Sequence, residues 1–217
     1  SATQDTAGPL ARTVKDAAIL LGALTGVDAN DAITKESEGK AATDYTKFLD
    51  ANALKGKRLG VEKKKYENQF LNRLQENAIA LMKQQGAEII ELEYVDKLNA
   101  LGDAEYELMK FEFKDGLNKY LSTANANVKT IADVIAFNKT NEDKVMPTFK
   151  QENMVMSEEK AGLDSKEYKE AFEKSHVGSK KIIDAVLQEN KLDALFGLTM
   201  GPSCSIDTIY GDRWGDV

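Results

Sequence analysis

The clearest pattern in the chain is a strand–helix–strand unit between residues 58 and 94. Leu59 and Val61 alternate with other residues over about 58–62, and a second alternation covers 88–94, with Ile90, Leu92 and Tyr94 on one face. Between them, apolar residues recur at helical spacing over about 69–85 and Gly86 follows: Leu71, Leu74, Ala78, Leu81 and Met82. Short connections within such a unit predict parallel strands and a right-handed crossover.

The region after this unit is predicted to be mostly helical. One helix is expected over about 103–123, with an aromatic and methionine stripe packed into the core: Tyr106, Met109, Phe113, Leu117, Tyr120 and Leu121. Thr130 with Asp133 forms a capping-box pair that opens another helix, and Pro147 falls in a linker. Asp164 with Glu167 is predicted to open a further helical stretch over about 165–190, which Gly178 bends or splits.

A helix and a strand are predicted towards the two ends of the chain, each followed by a segment without regular structure. Thr13 is placed as the N-cap of a short helix, and Gly26 is its natural stop. Its apolar residues recur at helical spacing and predict one buried face: Val14, Ala17, Ala18, Leu21 and Leu24. The polar stretch from Asp28 to Thr46 is expected to be a surface loop or irregular helical turn. A short apolar run over about 193–198 predicts a third, buried, parallel strand, and 199–217 is expected to be a loop. The fold class is therefore α/β, helix-rich, with a few mostly parallel strands.

Charge and composition narrow the range of functions. The 217 residues are 42% hydrophobic and carry a net charge of -7, which argues against nucleic-acid binding because that relies on many Lys and Arg contacts to phosphate. No apolar run reaches the roughly 20 residues that a membrane-spanning helix needs. The basic stretch from Lys55 to Lys65 is interpreted as a solvated edge, with anion binding as the alternative.

Few side chains are suited to covalent or metal chemistry. Cys204 is the only cysteine and His176 the only histidine, so neither an intramolecular disulfide nor a cysteine-based zinc site can form from this chain. Both residues are predicted to be non-catalytic, His176 as a solvated or partly packed helical residue. The acidic pairs Glu158–Glu159 and Glu105 with Glu107 are interpreted as exposed helix faces. No metal site and no cofactor are expected.

The opening residues carry a recognisable motif. Residues 1–18 resemble the Q-D-T-x-G-P-x-x-R-T-V-x-D-A-A stretch of amidase signature enzymes, and Thr25–Asp28 continue that pattern. Residues 57–61 and 86–90 fit the strand, helix and strand that follow in that family. Thr130–Asn138 resembles the T-L-x-D-L-I-x-F-N segment of bacterial peptide-amidase-like members. Asp193–Leu195, with Thr199 and Gly201–Pro202, is similar to its D-A-L-x-x-P-T region, although Phe196–Leu198 depart from its Val-Ala-Pro.

The resemblance implies an α/β/α domain around a mixed sheet, of which residues 1–217 would be one incomplete part. It also implies hydrolysis of a carboxamide through an acyl-enzyme, with a Ser nucleophile activated by a second Ser and a Lys, without histidine or metal. In the family those residues precede the Q-D-T-x-G-P stretch, so no catalytic residue is assigned in this chain. A chain without them is expected to show no amide turnover.

Gln4 and Asp5 are the candidate substrate-binding residues. The resemblance places their loop close to the active-site region, where they would line the pocket or support it. The alternative is structural, with Asp5 accepting backbone N–H bonds or pairing with Arg12 to fix the loop.

Three functions are compatible with these features. The first is an amidase for small amides or C-terminally amidated peptides. The second is a non-catalytic binding or scaffold module that uses the helices between Asp103 and Asn190, and the third is a component of a transamidating complex. Exposed sheet edges are expected to favour a homodimer. The cytoplasm is the favoured compartment, since a single cysteine is compatible with a reducing environment.

Overall fold

The computed structural model describes residues 2–198, 201–204 and 206–211. The chain divides into two compact units, one made of residues 1–4 and 56–217 and the other of Asp5–Lys55. Part of the predicted tail, including Thr199 of the D-A-L motif, lies outside the described residues.

The smaller unit contains helix α1 and two short 3-10 helices. Helix α1 spans Val14–Leu24, and the Thr13 side chain accepts the Asp16 N–H at its start, as predicted. The 3-10 helices, Ala32–Ser37 and Tyr45–Phe48, confirm the irregular helical turns expected after Asp28. The predicted buried face of α1 is wrong at both ends, because Val14 is 75% exposed and Leu24 55% exposed.

The larger unit is organised around three parallel strands in the order β2-β1-β3: β1 Arg58–Glu62, β2 Glu88–Leu92 and β3 Ala194–Phe196. Leu59 pairs in register with Ile89 on one side and with Ala194 on the other. The pairing confirms the predicted parallel strands and the helix that connects β1 to β2.

Two strand predictions need correction. Strand β2 ends at Leu92 instead of Tyr94, because the Glu62 carboxylate accepts the Tyr94 N–H at 2.9 Å and turns the chain into α3, Val95–Asn99. The third strand covers only Ala194–Phe196 of the predicted 193–198. Its residues are exposed or half-buried, because β3 lies at an edge of the described sheet.

Gly60 lies where the centre of the sheet is most crowded. A Cβ at this position would lie 2.6 Å from Leu192 Cδ1, 2.7 Å from Leu195 Cδ2 and 2.9 Å from Leu92 Cδ1. Three leucines from the neighbouring strands and loops therefore converge on a position that only glycine fills without a shift.

The crossover helix α2, Gln69–Gln84, joins β1 to β2 as predicted. The Asn68 side chain caps its first turn, and Gly86, at φ 91°, ends it in the left-handed region that favours glycine. Leu71 and Met82 of the predicted apolar face are buried, whereas other members of that face, Leu74 and Leu81, are about half exposed.

The remaining helices follow β2: α4 Gly102–Thr123, α5 Ile131–Thr140, α6 Glu142–Val145, α7 Glu152–Glu158, α8 Lys166–Phe172 and α9 Gly178–Glu189. The capping box of Thr130 and Asp133 at the start of α5 is confirmed. Helix α8 starts about where predicted, but its predicted cap is wrong, because Ser165 and not Asp164 caps it. A π-helical turn, Glu173–Val177, interrupts the stretch just before Gly178 and confirms the expected irregularity.

Helix α4 buries Leu121 of the predicted core stripe but exposes most of the others. Tyr106, Met109, Phe113 and Tyr120 of the predicted core stripe are each at least 42% exposed. The buried residues of α4, which packs against α7 and α8, include Leu108, Phe111 and Leu121 together with two charged residues, Lys110 and Glu112. Because apolar residues lie on several sides of α4, their spacing alone did not identify the buried side.

Within the described part of the chain, no helix is long and apolar enough to cross a membrane.

Candidate functional site

The two candidate substrate-binding residues are adjacent in sequence but belong to different compact units. Gln4 is half-buried and belongs to the larger unit, whereas Asp5 is exposed and begins the smaller one. A turn over residues 2–4 leads into them. Their role in substrate binding stays a prediction, but the structure shows what fixes the residue immediately before them.

Thr3 is bound by the carboxylate of Glu112 on α4. The Thr3 N–H donates to Oε2 at 3.0 Å and the Thr3 hydroxyl donates to Oε1 at 2.8 Å, so both oxygens are used. The two residues are 109 positions apart in sequence, and Glu112 is only 3% exposed. The opening segment is thus joined to the long helix α4 by a partly buried, charge-assisted contact.

Tyr168 on α8 completes the surroundings of this carboxylate. Its hydroxyl donates to Glu112 Oε1 at 3.0 Å, and its ring lies edge-on against Phe111 with centroids 5.8 Å apart. Burial, together with the hydrogen bond to Glu112, raises the pKa of Tyr168 to about 12. The phenol is therefore a neutral donor at physiological pH, and Glu112 receives three hydrogen bonds from two separate segments.

A shallow groove of about 370 Å³ lies beside the Thr3–Glu112 contact. Its walls are mostly apolar and come from α4, the opening segment and the loop before α8: Ala2, Phe113, Leu117, Tyr120 and Leu163. The groove is suited to an apolar group beside a polar one.

A second polar cluster lies one turn earlier on α4. Lys110 and Lys160 both donate to the Glu107 carboxylate, Lys160 Nζ at 2.5 Å from Oε2. These hydrogen bonds, first from Lys110 and then from Lys160, lower the pKa of Glu107. The sequence predicts that Glu105 and Glu107 lie on an exposed acidic face. Glu105 is exposed, but Glu107 is half-buried and paired with two lysines. The cluster ties α4 to the loop after α7.

The carboxyl ends of β1 and β2 border another open cavity, of about 410 Å³. Lys63, Lys64 and Lys65 line it, as does the buried Gln75 of α2. Ligands of open α/β sheets often bind at this edge. Here the Glu62 carboxylate is engaged by the N–H groups of Tyr94 and Val95, so it acts as a structural acceptor.

Cys204 and His176 take the unremarkable positions that were expected of them. Cys204 is a free, exposed thiol. His176 is exposed on the π-helical turn and stacks on Phe172 with ring centroids 4.9 Å apart. Among the described residues, no group of three or more His, Cys, Asp or Glu side chains is arranged to hold a metal ion.

Sequence reasoning missed Glu112, the buried acid that holds the opening segment. An acidic residue flanked by Phe111 and Phe113 was the only local signal, since a charged side chain is rarely buried unless it is paired. Its partner Thr3 could not be identified from spacing.

A parallel sheet with a helical crossover and a long helical segment defines this chain as an α/β protein. Comparison with known proteins supplies the family, since the family model named Amidase matches residues 1–204. The chain belongs to the amidase family.

Similar proteins agree with this assignment. A probable amidase of Arabidopsis thaliana is 34% identical over 212 residues, covering 94% of this chain and 40% of that protein. A peptide amidase solved with the competitive inhibitor chymostatin is 35% identical and superposes with a TM-score of 0.88 over 98% of this chain and 44% of its own. A glutamyl-tRNA(Gln) amidotransferase subunit of Neisseria meningitidis is 38% identical over 120 residues, 54% of this chain and 24% of that one. The chain therefore spans less than half the length of each of these relatives.

Proposed function

We propose that residues 1–217 are part of an enzyme that hydrolyses a carboxamide to a carboxylate and ammonia. The observation that supports this most strongly is the superposition on the peptide amidase, which includes 98% of this chain at a TM-score of 0.88. Small amides and C-terminally amidated peptides are the proposed substrates. Residues 1–217 would form part of one larger domain in that enzyme.

The proposed mechanism is the acyl-enzyme route implied by the family resemblance. A Ser nucleophile attacks the amide carbonyl after a second Ser and a neutral Lys remove its proton, and ammonia leaves before water releases the carboxylate. None of these three groups is assigned in residues 1–217. In this proposal the chain contributes the Gln4–Asp5 loop and the helices that hold it.

The test uses the longest natural polypeptide that contains this sequence. We expect ammonia release from a panel of simple amides and peptide amides, and competitive inhibition by chymostatin as in the similar peptide amidase. A purified, folded polypeptide that releases no ammonia from any member of the panel would contradict the proposal.

A second candidate is a component of a transamidating complex, favoured by the similarity to the Neisseria amidotransferase protein. That similarity covers 54% of the chain, whereas the superposition on the peptide amidase covers 98%. Glutamine would be the distinguishing substrate. Hydrolysis of glutamine that appears only with partner proteins would favour the transamidating function, and turnover of peptide amides by the isolated polypeptide would favour the amidase.

A non-catalytic binding module is the third candidate. It would use the exposed aromatic residues of α4, where Tyr106, Phe113 and Tyr120 are each at least 42% exposed. A polypeptide that lacks amide turnover but binds a partner through these residues would support it.

Residues 1–217 on their own are proposed to be inactive and to self-associate. Strands β2 and β3 are the two edges of the described sheet, and unpaired strand edges favour pairing with a second copy. We expect purified residues 1–217 to release no more ammonia than a mock preparation and to scatter light as a dimer or larger. Clear turnover would refute the first expectation, and a compact monomer the second.

A further inference from the structure

Glu112 is a buried acid whose side-chain hydrogen-bond partners, Thr3 and Tyr168, lie outside helix α4. It is 3% exposed, and its carboxylate accepts hydrogen bonds from the Thr3 N–H, the Thr3 hydroxyl and the Tyr168 hydroxyl. A buried carboxylate is costly unless donors replace the water it loses. The burial of the Glu112 carboxylate therefore depends on the donors of Thr3, and the position of Thr3 depends on Glu112.

The contact between Thr3 and Glu112 can fix the backbone of Thr3 as well as stabilise the charge of Glu112. Because Thr3 uses one main-chain and one side-chain donor on two different oxygens, both the position and the orientation of the residue are defined. Tyr168 holds the carboxylate from a different helix, and the contact of its ring with Phe111 restrains it in turn. Serine in place of Thr3 could make the same two hydrogen bonds, whereas valine in place of Thr3 would keep the shape of the side chain and lose the hydroxyl donor.

Residue Gln4 follows Thr3 directly, and Asp5 begins the smaller compact unit. The Glu112 contact thus ends one peptide bond before the two candidate substrate-binding residues. Catalysis is sensitive to such placement, since a displacement of about 1 Å can reduce the rate by about a hundredfold.

We propose that Glu112 is a positioning residue of the amidase site, which acts through Thr3 to hold the adjacent Gln4 in place against the substrate. The proposal rests on the proposed amidase function. Glu112 does not touch the substrate, and neither the reacting serine nor the ammonia leaving group involves it.

The decisive variants are Glu112→Gln and Thr3→Val in the longest natural polypeptide, compared with Thr3→Ser and Glu105→Gln. Glu112→Gln removes the charge and replaces one of the two acceptor oxygens with an NH2 donor, so at least one donor of Thr3 or Tyr168 loses its acceptor, and Thr3→Val removes the hydroxyl. Thr3→Ser keeps both donors, and Glu105→Gln removes an exposed charge from the same helix. Activity is measured well below the melting temperature of each variant and is normalised to folded protein.

We expect Glu112→Gln and Thr3→Val each to lower kcat by about tenfold with a smaller change in KM, because a shifted loop still admits substrate but aligns it poorly. The double variant is expected to be no slower than Glu112→Gln alone, since both changes break one contact. Thr3→Ser and Glu105→Gln are expected to stay within about twofold of the unchanged enzyme. A purely structural Glu112 would lower the melting temperature without changing kcat per folded molecule, and that result overturns the proposal.

Hydrogen exchange separates this proposal from the proposed function. If the unchanged polypeptide hydrolyses no amide, the amidase function has failed, and exchange over residues 2–8 still tests the positioning of the segment. We expect faster exchange in Glu112→Gln and Thr3→Val but not in Thr3→Ser or Glu105→Gln. Unchanged exchange in Glu112→Gln overturns the positioning role whatever the activity shows.

Discussion

Asp193 and Arg58 are joined through both their main chains and a side chain. The Asp193 N–H donates to the Arg58 carbonyl at 2.8 Å, and the Arg58 N–H donates to the Asp193 carboxylate at 2.9 Å. Lys57 Nζ reaches the other carboxylate oxygen at 2.8 Å. These bonds lie one residue before the first pair of β1 and β3, Leu59 with Ala194, and hold the two strands together at that end.

The first prediction concerns the charge of Asp193. The Arg58 N–H, followed by Lys57, lowers the pKa of Asp193. A carboxyl group whose pKa is lower in the folded state stabilises the fold above its unfolded pKa of about 3.9 and loses that contribution as the pH falls through the folded value. Asp193→Asn should therefore lower the melting temperature at neutral pH, and the difference from the unchanged protein should shrink below about pH 4.

Thermal unfolding followed by circular dichroism between about pH 3 and pH 8 checks this prediction. Glu91→Gln is the matched control, because Glu91 is an exposed acid in the neighbouring strand β2. A melting-temperature difference for Asp193→Asn that is constant across the pH range would contradict the prediction.

The parts of the fold that depend on short-range chemistry were predictable. The alternation around Leu59, the helix stop at Gly86 and the capping pair of Thr130 and Asp133 all correspond to elements in the structure. Each signal is carried by neighbouring residues and by backbone preferences that hold in most surroundings. The N-cap of α8 was misplaced by one residue because Asp164 and Ser165 are both good caps, and only the structure selects between them.

Features that depend on distant contacts were not predictable. Glu112 resembles an ordinary charged residue of an exposed helix, and its partner Thr3 is 109 positions away. Gln4 and Asp5 became candidates only through the resemblance to amidases, since nothing in their own spacing indicates a site. The buried side of α4 was misjudged because the choice among its apolar faces is made by α7 and α8.

The second prediction compares the same substitution at two glycines. Gly60→Ala should destabilise the larger unit by about 1–3 kcal/mol, because three leucine methyl groups must move away from the new Cβ. Gly116→Ala should stabilise it by about 0.5–1 kcal/mol, because Gly116 lies inside α4 with nothing within 4 Å of the added methyl. Urea denaturation measures both. Changes of the same sign at the two positions would contradict the packing described around β1.

The third prediction concerns the capping box of α5. Thr130 accepts the Asp133 N–H, and the Asp133 carboxylate accepts the N–H groups of Lys129 and Thr130 at 2.9 Å. Thr130→Ala should destabilise the fold by about 1 kcal/mol, because it removes the acceptor of an otherwise unpaired helix N–H. Thr130→Ser keeps the hydroxyl and should cost much less. Equal losses for the two variants would show that the Thr130 methyl group, and not the cap, is responsible.

The last prediction tests which face of α4 is buried. Leu108 has no exposed surface, whereas its neighbour Met109 is 42% exposed. Leu108→Ala should destabilise the protein by about 2–5 kcal/mol, because it removes transfer energy and leaves a cavity. Met109→Ala should cost less than about 1 kcal/mol, since an exposed side chain away from special features contributes little.

Chemical denaturation of both variants measures this difference, and the slopes of the transitions show whether unfolding remains two-state. A larger loss for Met109→Ala than for Leu108→Ala would mean that the sequence-predicted stripe, and not the observed one, faces the core. Glu112 lies one helical turn beyond Leu108 on the same face of α4. If that face did not point inwards, the Glu112 carboxylate could not contact Thr3, so the same result would also contradict that contact.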